Sequence, residues 1–348
     1  MGASLAMALK QNINDIEILG YDLPEVLADA ENLGIIDRRI KTWPDDCEAS
    51  DIIFLATPLS IIKKHLLDLV EVVSADTIVT DLGSTKEQLD KFTEKINFPG
   101  IYIGGHPMTG AEKSGLKAGN PLLYENAVYI LTDPHAESNS VIREKLLPIL
   151  NAIKARVLLL APDVHDKILS VISHLPQILA IALVNLVGEK KSADLPYFEL
   201  AAGGFRDLTR IASGSINIWQ DIIASNKDYI SEAIDGIDTI LKKMQKNLSD
   251  LSSDFLSANN LRSQLPVKSK GFISPLTDVL VYVNDQVGVV AKISNSLANK
   301  EIDIRDIELL KIREKEGGVF RLSFSNREEA EQAIQILKSI DYRAYIRE

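Results

Sequence analysis

The stretch MGASLAMALKQNINDIEILGYD, residues 1–22, sets a helix ahead of a strand. Leu5, Met7, Ala8 and Leu9 recur at helical rather than alternating spacing, whereas IEILGYD is a short apolar run suited to a buried strand. Gly2 opens the helix, where close packing on a sheet favours a residue without a side chain. Asp22 closes the strand, 20 residues after Gly2. An acidic residue about 20 positions past a glycine turn, at the end of a second strand, marks a dinucleotide-binding βαβ unit. Its carboxylate accepts hydrogen bonds from the adenosine ribose hydroxyls and repels a 2′-phosphate, which favours NAD over NADP. On this reading Gly2 is the third glycine of the fingerprint, and the first strand and two glycines are expected upstream of Met1. An ordinary turn aspartate after a strand satisfies the same spacing.

Outward from this start, residues 1–161 alternate helical patterns with apolar runs. After IEILGYD come DIIFLATP, TIVTDLG, IYIGGHP, AVYILTD and RVLLLAP, each closed by Gly, Pro, Asp or Thr. Such runs read as buried strands of a mostly parallel sheet, with LPEVLADAENLG and LSIIKKHLLDLVEVV as crossover helices. Thr57 and Pro58, at the end of the second run, form a loop expected to meet the nicotinamide end. Residues 162–265 are helical in period throughout, with Pro176 expected to kink or divide the first helix. Residues 266–273 lie in a Pro-, Ser-, Gly- and Lys-bearing linker. Residues 274–348 follow a βαββαβ order, the ferredoxin-like unit, in which Asn326 and Glu329 form a cap for the second helix.

A formal charge of −11 argues against a nucleic-acid partner. The single cysteine, Cys47, precludes an internal disulfide and fits a reducing cytoplasm. No basic start followed by an apolar run marks a secretion signal. The most apolar stretch, 168–187, contains His174, Pro176, Gln177 and Asn185, so a buried helix pair in a subunit interface is expected rather than a membrane span. No cluster of His, Cys and Asp has metal-ligand spacing, and no metal is expected.

Three runs carry chemistry. In TDLGSTKEQLDKF, Ser84 follows a strand end and has capping-box spacing to Glu87. In GGHPMTGAEKSG, His106 follows a strand directly in a Gly/Pro-rich loop, where α/β sheets present ligand-contacting groups. In AAGGFRDLTRIASGSINIWQDI, Arg206, Asp207, Arg210 and Trp219 interrupt an apolar helical region, and a glycine pair followed by arginines suits an anionic substrate.

In order, DLGSTK, GGHPMTGAEKSG, SHLPQ and GGFRDLTRIASGSINIW resemble the prephenate dehydrogenase family of tyrosine biosynthesis. The resemblance implies NAD-dependent oxidative decarboxylation of prephenate to 4-hydroxyphenylpyruvate. His106 matches the family's catalytic histidine, Ser84 the serine that orients it near the nicotinamide, and Arg210 the arginine that grips a substrate carboxylate. His174, Glu112, Asp207 and Trp219 match further pocket positions, whereas Gln177 stands where some members carry a histidine. The tail resembles an ACT domain, implying L-tyrosine as effector at Asp285 and Gly288, although Val287 replaces the usual proline. Because such effector sites form between paired copies, a homodimer built on residues 162–265 is expected. Arogenate dehydrogenase is the nearest alternative. A β-hydroxyacid dehydrogenase is disfavoured because no glycine-flanked lysine stands in the helical region. A non-catalytic tyrosine sensor is the alternative from another class.

Overall fold

Adjacent residues of one strand, Ile78 and Val79, are fully buried in two different apolar clusters, so the sheet they belong to is covered on both faces. The computed structural model describes residues 1–110, 115–190, 195–264, 276–313 and 317–347. It divides into two compact units, Met1–Ser249 and Asp250–Glu348.

The first unit opens with α1 (Gly2–Asn12), β1 (Leu19–Gly20), α2 (Pro24–Asn32), β2 (Arg38–Arg39), β3 (Ile52–Leu55), α3 (Leu59–Leu69) and β4 (Ile78–Asp81). It continues with α4 (Glu87–Lys95), β5 (Ile101–Ile103), β6 (Gly105–Pro107), β7 (Val128–Leu131), α5 (Leu147–Ala152) and β8 (Arg156–Leu159). β3, β4 and β5 form one parallel set and β1 and β2 a second, whereas β6, β7 and β8 form a mixed set in which only β7 and β8 are parallel. The run IYIGGHP, expected as one strand, is two: β5 pairs parallel with β4, and after Gly104 the chain turns so that β6 pairs antiparallel with β7. β1 and β3 share no ladder, and a cavity of about 630 Å³ between them is lined by Leu19, Gly20 and Ile52–Leu55. In a doubly wound sheet the first strand stands at that place.

Helices follow: α6 (Pro162–Leu169), a π-helical turn (Ser170–His174), α7 (Leu175–Lys190), α8 (Gly203–Thr209), α9 (Ile216–Ser225) and α10 (Lys227–Lys246). Pro176 does not divide the first helix, which runs unbroken from Pro162 to Lys190. The π turn lies just before the proline, and widening to i→i+5 bonding accommodates a residue that lacks an N–H and crowds the carbonyl four residues back. This helix is long and apolar enough to cross a membrane, with a mean hydropathy of 1.8, and only 22% of that window is buried. Ile181, Leu183 and Leu186 stand exposed along it, so the buried helix pair expected here is not formed within one chain.

The second unit comprises α11 (Ser252–Arg262), β9 (Thr277–Val283), α12 (Val289–Ala298), β10 (Asp306–Arg313), β11 (Gly317–Phe324), α13 (Arg327–Ser339) and β12 (Arg343–Ile346). The antiparallel order β10-β11-β9-β12 is the ferredoxin-like arrangement, with Val279, Val281, Leu322 and Phe324 buried beneath the helices. Asn326 caps α13 as expected, its Oδ1 accepting the Glu329 N–H at 2.9 Å.

Behind the first sheet lies a buried ion pair. Lys86 Nζ donates to Asp81 Oδ1 and, at 2.8 Å, to the carbonyl of Gly105. Asp81 also accepts the Gly83 N–H at 2.7 Å and the Tyr102 hydroxyl at 2.9 Å. A side chain at Gly105 would approach the Asp81 carbonyl to 2.4 Å, so the strand lies this close only because the position is glycine. Burial lowers the Lys86 pKa, and the Asp81 charge opposes that shift. Removing one partner of such a pair leaves the other uncompensated. We expect Lys86→Met to destabilise the protein by about 3–5 kcal/mol in urea unfolding; a loss below 1 kcal/mol would show that Asp81 is satisfied without it.

Candidate active site

His106 sits in the middle of β6, half-buried, at the junction between the sheet and the helices. Its Nδ1 lies 2.8 Å from Nε2 of His165, whose Nδ1 is 2.7 Å from Oδ1 of Asp166. Asp166 is on α6, and its carboxylate also accepts the N–H groups of Lys86 at 2.8 Å and Glu87 at 3.0 Å. Ser84 therefore does not cap α4 as its spacing to Glu87 suggested. A carboxylate from a distant helix takes that role, and Ser84 lines the cavity in front of His106 instead.

That cavity, of about 370 Å³, is bounded by Ser84, His106, Met108, Thr109, His174 and Trp219. His174 comes from the π turn, and its Nδ1 lies 3.1 Å from Nδ2 of Asn226, which also donates to the main-chain carbonyl of Asp166 at 2.8 Å. Trp219, on α9, meets the His174 ring edge-on at 6.0 Å. Burial above all, then the Lys86 ammonium and the neighbouring imidazoles, holds the His106 pKa well below the usual histidine value. Burial likewise lowers His174 to about 4. Both rings are thus neutral near pH 7, as a base and a neutral hydrogen-bonding group require.

The remaining expected residues are more dispersed. Asp207 and Arg210 lie on α8 and the 3₁₀ turn after it, outside the lining of this cavity. Gln177 donates to the carbonyl of Ile211 at 3.0 Å, which ties α7 to the turn carrying Arg210. Glu112 lies outside the described residues. Asp285 is in the turn after β9, and Gly288, with φ of +86°, caps α12 in the second unit. His165, Asp166 and Asn226 were not expected from the sequence. The pair His165–Asp166 was visible in DVHDK, but nothing in its spacing pointed to His106.

The cavity beside β1 gathers Gly2, Asp22 and Thr57, three of the expected cofactor residues, while Pro58 precedes α3. A Cβ added at Gly2 would sit 3.0 Å from Cβ of Ala56, so the helix packs on the neighbouring strand end as closely as the third glycine of a dinucleotide fold requires. Asp22 is exposed, with Oδ1 accepting the Leu23 N–H at 2.7 Å. Gly2 and Asp22 have the residue types that the adenosine half of NAD would need, and Thr57 and Pro58 stand at the strand end expected to meet the nicotinamide. Among the described residues no group of His, Cys, Asp and Glu could hold a metal ion.

Comparison with known proteins places these features in one family. Residues 5–159 match the model of the prephenate dehydrogenase nucleotide-binding domain, and residues 161–261 that of its dimerization domain. The prephenate dehydrogenase of Bacillus subtilis (strain 168) is 35% identical over 347 residues, covering 96% of this chain and 93% of the relative. The cyclohexadienyl dehydrogenase of Zymomonas mobilis is 29% identical, over 76% of this chain and 90% of the relative. The crystal structure of prephenate dehydrogenase from A. aeolicus, in complex with hydroxyphenyl propionate and NAD+, superposes with a TM-score of 0.69. It is 30% identical and covers 76% of this chain and 93% of that one. The chain belongs to the prephenate dehydrogenase family.

Proposed function

We propose that this chain catalyses the NAD-dependent oxidative decarboxylation of prephenate to 4-hydroxyphenylpyruvate, a step of tyrosine biosynthesis. The observation that carries this reading is one cavity holding Ser84, His106, His174 and Trp219, with His106 backed by a buried His–Asp relay. NAD held by Gly2, Asp22, Thr57 and Pro58 would supply the acceptor for the hydride on the ring carbon that bears the hydroxyl. His106 accepts the hydroxyl proton as that hydride leaves. The ring carboxylate departs as CO2, its bonding pair aromatises the ring, and the proton returns from His106 to the phenolic oxygen. Ser84 orients His106 and the nicotinamide end of the cofactor. Arg210 binds a substrate carboxylate, with Asp207, His174, Trp219 and Glu112 completing the pocket. Gly2, Asp22, Thr57 and Pro58 hold the dinucleotide.

Pairing through the exposed apolar face of α6 and α7 supplies the homodimer, and the dimerization-domain match supports it. L-Tyrosine at the Asp285–Gly288 turn is the proposed feedback effector. The buried, unpaired Cys47 suits a cytoplasmic enzyme.

NADH formation with prephenate, alongside arogenate, tests the reaction directly, and turnover of neither substrate by folded protein would overturn it. His106→Ala should lower kcat by roughly 10²–10⁴-fold with little change in KM. Arg210→Ala should instead weaken prephenate binding by about 2–5 kcal/mol, seen as a raised KM. Because His106 is neutral down to well below its ordinary value, kcat/KM should stay flat as pH falls from 8 to about 6.5, with an acid limb only below it. An acid limb centred above 7 would contradict that environment. Leu183→Glu with Leu186→Glu should give a monomer in sedimentation velocity, while an unchanged dimer would place the interface elsewhere.

A further inference from the structure

The two histidines that line the cavity are wired to the same residue by different atoms. The Asp166 carboxylate accepts hydrogen bonds and has none to give, and it already takes the N–H groups of Lys86 and Glu87. Its 2.7 Å contact with His165 therefore places the proton on His165 Nδ1. A neutral His165 then carries its lone pair on Nε2, so the 2.8 Å contact with His106 needs the proton on His106 Nδ1. That leaves the lone pair of His106 on Nε2.

The second branch starts from the main-chain carbonyl of Asp166. It can only accept, which fixes the Asn226 amide with its nitrogen toward it at 2.8 Å. The same NH2 has a second hydrogen, and 3.1 Å away lies Nδ1 of His174. Nδ1 of His174 is thus the acceptor, and its ring proton is on Nε2.

We propose that Asp166 sets opposite tautomers in the two cavity histidines, so that His106 meets the substrate as a proton acceptor and His174 meets it as an N–H donor. Given prephenate as the substrate, as inferred above, the acceptor takes the ring-hydroxyl proton. The donor selects an anionic or carbonyl oxygen, so the two rings are not interchangeable. Asp166, His165 and Asn226 are positioning residues in this scheme, because each acts through a histidine. No net proton is stored in the relay. The proton that His106 accepts at Nε2 is the one it returns to the phenolic oxygen, and Nδ1 keeps its own.

The test is ¹⁵N NMR of the full chain with ¹⁵N-histidine, the five rings being assigned by single His→Gln substitutions. At pH 7.5 without substrate, His106 should show a protonated Nδ1 and a bare Nε2, and His174 the reverse. The same tautomer in both rings, or a doubly protonated His165 donating to His106, would overturn the proposal. In Asp166→Ala the acceptor that fixes the proton on His165 Nδ1 is lost, and the relay no longer holds His106 against the Nε2–H tautomer that a free imidazole favours. His106 should then move to the Nε2–H form and kcat fall by roughly 10²–10⁴-fold, with KM little changed. A merely structural role would lower thermal stability and leave the tautomer as it was. Should that variant fail to fold, Asn226→Asp tests the other branch: a carboxylate there accepts from His174 Nδ1, so His174 alone should switch. The wild-type tautomers are read without turnover. Inactivity on prephenate with the tautomers as stated would thus overturn the reaction assigned above and not the wiring.

Discussion

One buried carboxylate joins the two halves of the first unit. At the start of α4 the backbone leaves N–H groups without helical partners, and in an apolar setting each needs an acceptor. Asp166 supplies it from α6, a helix about 80 residues further along the chain. Two smaller contacts act alongside it: the Ser60 hydroxyl with Asp221 at 3.1 Å and Thr85 with Ser225 at 2.7 Å. The sheet end that carries Ser84 and His106 is thereby docked on the helices that carry His174 and Trp219. The cavity between them is a product of that docking, since neither half contains it.

The electrostatics of the site follow from what lies behind it. The Lys86 ammonium reaches the Gly105 carbonyl one residue before His106, and its charge is balanced by Asp81 rather than by water. A positive charge held there disfavours a second one on the imidazole, and burial acts in the same direction. The ion pair thus acts on the protonation of its neighbour as well as on the packing around Gly105.

Much of this was legible in the sequence, because the signals were local. Strand runs such as TIVTDLG, the βαββαβ order of the tail and the Asn326 cap depend on residues a few positions apart, and each formed. The convergence of Ser84, His106, His174 and Trp219 was legible only through resemblance, since no period links positions separated by up to 135 residues. What escaped was of another kind. His165 and Asp166 look like ordinary polar residues on an amphipathic helix, and their burial is decided by what packs on them. The capping role read into Ser84 failed for the same reason: a local pattern was available, but a distant carboxylate supplied two acceptors where a hydroxyl supplies one. The split of IYIGGHP at Gly104 likewise depends on β7 arriving antiparallel, which the run itself does not encode.

The π turn at Ser170–His174 has a bearing on how this segment tolerates change. An α-helix advances about 100° per residue, so one additional residue in a turn rotates everything beyond it by that angle. Upstream of the turn, the helix points Asp166 at α4; downstream, Gln177 faces Ile211. The two halves are held in phase by the length of the turn rather than by the identity of its residues. Val171 and Ile172, both exposed, act in that sense as spacers, whereas Ser170 is buried with its hydroxyl donating to the Lys167 carbonyl at 2.7 Å. The count between Asp166 and His174 is what sets the phase, and a deletion there shifts the frame in which the helix is read by its neighbours.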